Sequence, residues 1–248
     1  QTFNRGKRSV ALDLEQPEDR ERFDALVNKA DVLFANIRGD VAEKLELTYR
    51  RYAATNPRLV CCILTGFGLG GPRRDEPGMD YVIQAVAGYM SLTGEPDQPP
   101  TRCGVPVIDF ATGFAAVGAI MAGLYHVQRS GRGLDVDVNL FDTALSMLSY
   151  LAVWKLNRNY EPGRQPYSAH PTVVPSQLFP TADGYIFIMC QKERFWTALC
   201  ECIGRTDLLA DPRFARPADR LANRAALVEL LSAIFRGRTT AEWLRLFK

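Results

Sequence analysis

Apolar and polar positions change period several times along the chain, and each change marks an expected element. Residues 9–14 alternate, with Val10, Leu12 and Leu14 on one side, and read as a strand. Pro17 then opens a helix carrying Phe23, Leu26 and Val27 on one face. Residues 31–35 run almost without polar interruption, as expected of a parallel strand covered on both sides. Short helices are predicted over 41–45 and 49–55, ending at Asn56-Pro57, and a third strand over 59–65. Helices follow over 81–92 and 110–128, the second stopped by Gly131. Residues 134–140 alternate again, as a half-solvated strand does, and 141–157 close this part as a helix.

The pattern then lapses. Residues 157–177 are rich in Pro, Arg, Tyr and Asn without a period, and read as a linker. A strand over 185–190, introduced by the Asp183-Gly184 turn, precedes helices over 195–203, 221–235 and 239–247. The expected organisation is an α/β domain over 1–157, a linker over 158–180 and a smaller α+β domain over 181–248.

Composition narrows the classes. The chain has 248 residues, 47% of them hydrophobic, enough for one large core or two smaller ones. A net charge of +2 gives no polyanion-binding face, so no nucleic acid is expected. No run of apolar residues approaches 18, and no charged and apolar leader precedes the first motif. Neither a membrane span nor a signal peptide is therefore expected. Cys61, Cys62, Cys103, Cys190, Cys200 and Cys202 form no CxxC, and His126 and His170 are the two histidines, so no metal site is expected. Cysteines in apolar patterns read as reduced thiols of a cytoplasmic or organelle-matrix protein.

The sharpest chemical candidate is Asp109, in Gly104-Val105-Pro106-Val107-Ile108-Asp109-Phe110. It stands at the entrance of an apolar helix, where free amides and the positive helix end favour an anion. Two readings are open on that position alone: a simple N-cap, or an activated carboxylate nucleophile. Gly66-Phe67-Gly68-Leu69-Gly70-Gly71 spells GxGxxG after a strand, yet Pro72-Arg73-Arg74 follows where a dinucleotide site needs a helix. No GxSxG elbow supports a hydrolase.

Several motifs taken together carry a resemblance. Residues 4–14 (NRGKRSVALDL), Ala30-Asp31-Val32-Leu33-Phe34-Ala35-Asn36, Asn56-Pro57-Arg58-Leu59-Val60, Pro77-Gly78-Met79-Asp80-Tyr81, Ser91-Leu92-Thr93-Gly94, Ser130-Gly131-Arg132-Gly133 and Asp183-Gly184-Tyr185 occur in the order seen in family III CoA-transferases. The resemblance spans nearly the whole chain. It implies a Rossmann-like parallel-sheet large domain, a smaller α+β domain and an interlocked homodimer, with further chain at both ends. It implies transfer of coenzyme A, a co-substrate rather than a tightly bound cofactor, from an acyl-CoA to a small carboxylic acid. Asp109 matches the family's nucleophile. Leu12 and Glu15 match positions near the adenosine, and Asn36, Ile37 and Arg38 the turn beside diphosphate and pantetheine. Lys44 matches a phosphate contact, and Gly78, Met79 and Asp80 are further coenzyme-binding positions that the resemblance implies. Arg5, Lys7, Arg8, Arg73 and Arg74 are further basic candidates along the coenzyme groove.

The chain departs from the family pattern at Glu15, Ala35, Gly39 and Glu76, where Lys, Glu, Pro and Arg are frequent. α-Methylacyl-CoA racemases of the same family carry His at the position of Met79. A racemase and a non-catalytic member stand as alternatives to the transferase. His126 lies too far along its helix to replace that group, and His170 reads as structural.

Overall fold

The computed structural model describes residues 2–248. Two compact units emerge: one running to Met90 and resuming over Arg102–Glu161, the other made of Ser91–Thr101 and Pro162–Lys248.

The first unit contains α1 (Pro17–Val27), β1 (Val32–Asn36), α2 (Gly39–Lys44), α3 (Tyr49–Tyr52), β2 (Val60–Thr65), α4 (Asp80–Val86), α5 (Tyr89–Leu92, entering the second unit at Ser91), α6 (Val107–Ser130), β3 (Leu134–Asn139), α7 (Leu140–Met147) and α8 (Ser149–Arg158). Its sheet has the order β1-β2-β3 and is parallel throughout, Val32 facing Val60 and Val60 facing Leu134. Every residue of β2 is buried. Val60, Cys62 and Leu64 pack with α4, α6 and α7, while Cys61 and Ile63 pack with α1, α2 and α3. The alternation over 134–139 reflects β3's place at one end of the sheet, Asp135 and Asp137 standing outward. Both still work: Asp135 accepts the Tyr49 N–H at 2.6 Å and Asp137 the Leu69 N–H at 2.9 Å.

Gly123 sets α6 tightly on the sheet, since a Cβ there would lie 3.1 Å from Val60 Cγ1. By length and composition α6 is apolar enough to cross a membrane, which corrects the exclusion drawn from run length. Glycines and Thr112 interrupt the run without lowering the average much. In this structure the helix is a sheet-covering one, with Ile108, Ala116 and Val127 in the core.

Other expectations need correction. Residues 9–14 form no strand among the described residues. Their alternation is real, because Val10, Leu12 and Leu14 line one apolar groove with Phe23 and Leu33, but no neighbouring strand meets their backbone. The helix expected over 81–92 breaks at Gly88, whose φ of 88° is left-handed. That over 141–157 breaks at Leu148, and that over 221–235 at Asn223.

The second unit contains β4 (Ser176–Pro180), β5 (Tyr185–Met189), α9 (Glu193–Cys202), α10 (Pro217–Ala222), α11 (Arg224–Phe235) and α12 (Thr240–Leu246). β4 and β5 pair antiparallel over a core of Phe179, Phe214, Leu227, Leu231 and Phe235. The linker over 158–180 is therefore too long: β4 is sheet, and the segment before it is tied in by side chains. Buried Arg220 donates Nε to the Val174 carbonyl at 3.1 Å and Nη1 to that of Phe214 at 3.0 Å, and pairs with Glu193 at 2.5 Å. The Glu95 carboxylate accepts the Tyr167 N–H at 2.9 Å, which draws residues 91–101 out of the unit expected to own them.

Candidate functional site

Asp109 lies in the first turn of α6, on the third helical residue, so it is not the N-cap. That position belongs to Pro106, which has no side-chain acceptor to offer. The cap comes from another helix. Asp80, the first residue of α4 and only 4% exposed, accepts the N–H of Ile108 at 2.7 Å and of Asp109 at 3.0 Å through one carboxylate oxygen. Its other oxygen accepts Gln84 Nε2 at 2.6 Å, and Gln84 Oε1 accepts the Cys103 N–H at 2.9 Å. Gln84 is fully buried.

This arrangement has an electrostatic consequence. The amides that would stabilise an Asp109 anion are already bonded to a second carboxylate. Partial desolvation, followed by repulsion from Asp80, pushes the Asp109 carboxyl above the usual carboxylate range. The Asp109 side chain nevertheless stays open to solvent.

That side chain borders a cleft of about 590 Å³ walled by Phe3, Asn36, Leu64, Phe110, Phe114 and Leu140. Asn36 and Leu64 come from the carboxyl ends of β1 and β2, and Leu140 follows β3 directly. Ligands of open α/β sheets collect at such ends. The cleft is apolar apart from Asn36 and Asp109.

Of the other residues singled out in the sequence, the structure brings only Asn36 into the cleft with Asp109. Leu12 lines the separate groove beside α1. Glu15 pairs with Lys44 at 2.5 Å on the surface and raises its ammonium's proton affinity, so the departure at Glu15 places an acid against the candidate phosphate ligand. Ile37 is half-buried against the α1–α3 side, and Arg38 is engaged by Asp40 at 2.8 Å. Arg73 pairs with Glu76 at 2.6 Å, whereas Arg5, Lys7 and Arg8 stand exposed near the chain start. Gly78 abuts Gly66, and Met79 is 70% exposed just ahead of α4. Asp80 faces inward as a cap rather than outward toward a coenzyme.

The glycine-rich stretch 66–71 runs into turns rather than a helix, so the helix N-terminus that a dinucleotide fingerprint requires does not follow it. Two of its amides are spent, that of Gly68 on Thr65 Oγ1 at 2.7 Å and that of Leu69 on Asp137. His126 is exposed on α6, about 25 Å along the helix from Asp109. His170 Nδ1 accepts the N–H groups of Thr172 and Val173, both at 3.1 Å, which is a structural role. Burial pushes the thiols of Cys61 and Cys190 up to about 12, far from a reactive thiolate.

Asp80 with Gln84 escaped the sequence reading as a cap. The available signal was an Asp and a Gln four apart on a helix, a spacing at which their side chains meet. Phe110 and Phe114 also escaped, because an apolar helix stripe usually means core.

Comparison with known proteins adds a second line. The model of CoA-transferase family III matches residues 1–248. The succinate–glutarate CoA-transferase of Agrobacterium fabrum is 38% identical over 92% of this chain and 57% of its own length. The acetyl-CoA:oxalate CoA-transferase of Acetobacter aceti is 37% identical over 97% of this chain and 62% of its own. Among solved structures, a CAIB/BAIF family protein from Brucella suis superposes with a TM-score of 0.79 at 37% identity, covering 96% of this chain and 63% of that one. A Mycobacterium tuberculosis protein reaches 0.87 at 33% identity, covering 98% and 63%. The chain thus spans about three fifths of the length of these relatives.

Proposed function

This chain belongs to CoA-transferase family III, and from that premise we propose that it transfers coenzyme A from an acyl-CoA to a free carboxylic acid through Asp109. The observation carrying this reading is a carboxylate of raised basicity at the strand ends, facing an apolar cleft.

The chemistry balances without an external energy source. The Asp109 carboxylate attacks the thioester carbonyl, the C–S bond breaks, and CoA thiolate leaves a mixed anhydride. The thiolate attacks the aspartyl carbonyl of that anhydride, expelling the donor acid and forming an aspartyl–CoA thioester. An acceptor carboxylate then attacks that carbonyl and releases thiolate. The thiolate attacks the acceptor's acyl carbon, yielding the new acyl-CoA and regenerating Asp109. Desolvation and the neighbouring Asp80 make the anion more basic, hence more nucleophilic, while more of it is protonated at low pH. Backbone amides of the 66–71 loop not already bonded are candidates to hold the transient oxyanions. The named relatives act on succinate, glutarate and oxalate or their CoA esters, which favours small acids as substrates.

Racemisation at the α-carbon is the competing reading. It needs a proton donor and acceptor across that carbon, and Met79 has no exchangeable proton. One experiment separates the two. The full-length protein is incubated with 2-methylacyl-CoA and other acyl-CoAs plus free acids in heavy water. Expected is CoA on the acceptor acid with no deuterium at Cα. Asp109-dependent deuteration without transfer would replace this reading with the racemase.

The interlocked homodimer belongs to the same proposal. Its support is the α6 ridge of Phe110, Phe114, Val117, Met121 and Tyr125, all between 48% and 76% exposed. A second copy would cover such a ridge. The full-length protein should sediment as a dimer, and a compact monomer would count against this.

A further inference from the structure

We infer that Asp80 and Gln84 form a positioning device for Asp109, a buried two-residue relay that holds the reacting carboxylate in place and keeps a fixed charge beneath it. The inference rests on the proposed role of Asp109 but is built from contacts that exist whatever Asp109 does.

The relay fastens both ends of one segment to one helix. Cys103 is held through Gln84 Oε1, Gln84 Nε2 holds Asp80 Oδ1, and Asp80 Oδ2 holds the amides of Ile108 and Asp109. The intervening residues 104–107 pass over the outside, where Val105 is exposed. Both side chains are more than nine-tenths buried, and the relay satisfies both oxygens of Asp80. A buried network in which the members satisfy one another is rigid, and one member removed leaves costly unpaired groups.

A neutral cap would satisfy the same two amides. A carboxylate does more, because its charge faces Asp109 from below. The other groups around the cleft, Asn36 from β1, Leu64 from β2, Leu140 from α7 and Phe3, are uncharged. Asp80 is thus the charged neighbour that adds to the effect of desolvation on Asp109. It also keeps the helix end capped when Asp109 becomes an uncharged anhydride or thioester, so the α6 entrance need not rearrange during turnover. Asp80 acts through Asp109, and its role is positional.

The test moves the charge without emptying the network. Asp80→Asn retains an acceptor for the α6 amides but presents an N–H to Gln84, whose own amide must then turn its donor toward the Cys103 N–H. Adding Gln84→Glu restores every partner with the charge one helical turn away. Carbon-13 NMR of the Asp109 carboxyl, amide exchange at Cys103, Ile108 and Asp109, and the pH dependence of covalent labelling by an acyl-CoA are read in parallel. Expected for Asp80→Asn is a lower titration midpoint of Asp109, exchange at Cys103 faster by about tenfold or more, and an acid limb of labelling moved to lower pH. The double variant should recover amide protection while the midpoint stays below wild type, and it carries the test where the single variant does not fold. An unchanged midpoint together with unchanged protection in both variants overturns the inference. If Asp109 is not the nucleophile, labelling is absent throughout while the midpoint and exchange still respond.

Discussion

Replacing Asp109 by alanine should lower CoA exchange by at least about a thousandfold while leaving the fold intact. The size follows from the chemistry, because every step of the proposed cycle forms or breaks a bond at that carboxyl carbon or oxygen. Asp109→Asn should fail to a similar degree, since it keeps the shape and loses the nucleophile. Stability should barely change. A first-turn acid ordinarily contributes about 0.3–1 kcal/mol by meeting the helix dipole. Here Asp80 already meets the exposed amides, and the two carboxylates repel, so removing one relieves the other. Initial exchange rates and thermal midpoints of the full-length variants separate loss of chemistry from loss of fold. Mass spectrometry of wild type mixed with donor acyl-CoA should find a CoA or acyl adduct on the peptide containing Asp109. Near-normal exchange by the alanine variant would refute the assignment.

A large effect on stability should come from a glycine at the base of the site. A Cβ on Gly78 would lie 2.2 Å from the Gly66 Cα, and one on Gly66 2.5 Å from the Gly78 Cα. Both obstacles are backbone, so no rotamer change relieves them. Gly78→Ala must push β2's end and α4's start apart, at an expected cost of about 3 kcal/mol or more. The displacement would also lift Asp80 from the amides it caps, so activity should fall with stability. Gly70→Ala is the matched control, with nothing within 4 Å of its Cβ, and should stay within about 0.5 kcal/mol of wild type. Denaturant midpoints of the two variants check this. Equal midpoints would show that the close approach is not a constraint.

Much of the sheet was legible in the sequence because β1 and β2 declare themselves by uninterrupted apolar runs. Pro17 and Gly131 marked their helix ends for local reasons, a fixed φ and a left-handed cap. Residues 9–14 misled because alternation records which side chains face an apolar groove, whereas a strand also needs a hydrogen-bonded neighbour. Helix breaks at Leu148 and Asn223 carry no glycine or proline to announce them. Asp109 was visible from its motif, but its cap was not, because the contact spans 29 residues and depends on tertiary packing. The basic candidates were legible as charges only. That Arg38 and Lys44 are occupied by Asp40 and Glu15 is a matter of geometry.

The crossing of Gly66 and Gly78 has a consequence for how this scaffold diversifies. Residues 67–77 leave the sheet and return at a point fixed by backbone contact, so their ends are closed whatever their length. Closing a longer excursion costs entropy that grows only logarithmically, about 0.6 kcal/mol per doubling. Beyond Leu69, whose amide is held by Asp137, the stretch can therefore lengthen or shorten while the crossing, and with it the seat of Asp80, stays in register. A change in the length of this loop is thus mechanically uncoupled from the seat of the reacting carboxylate.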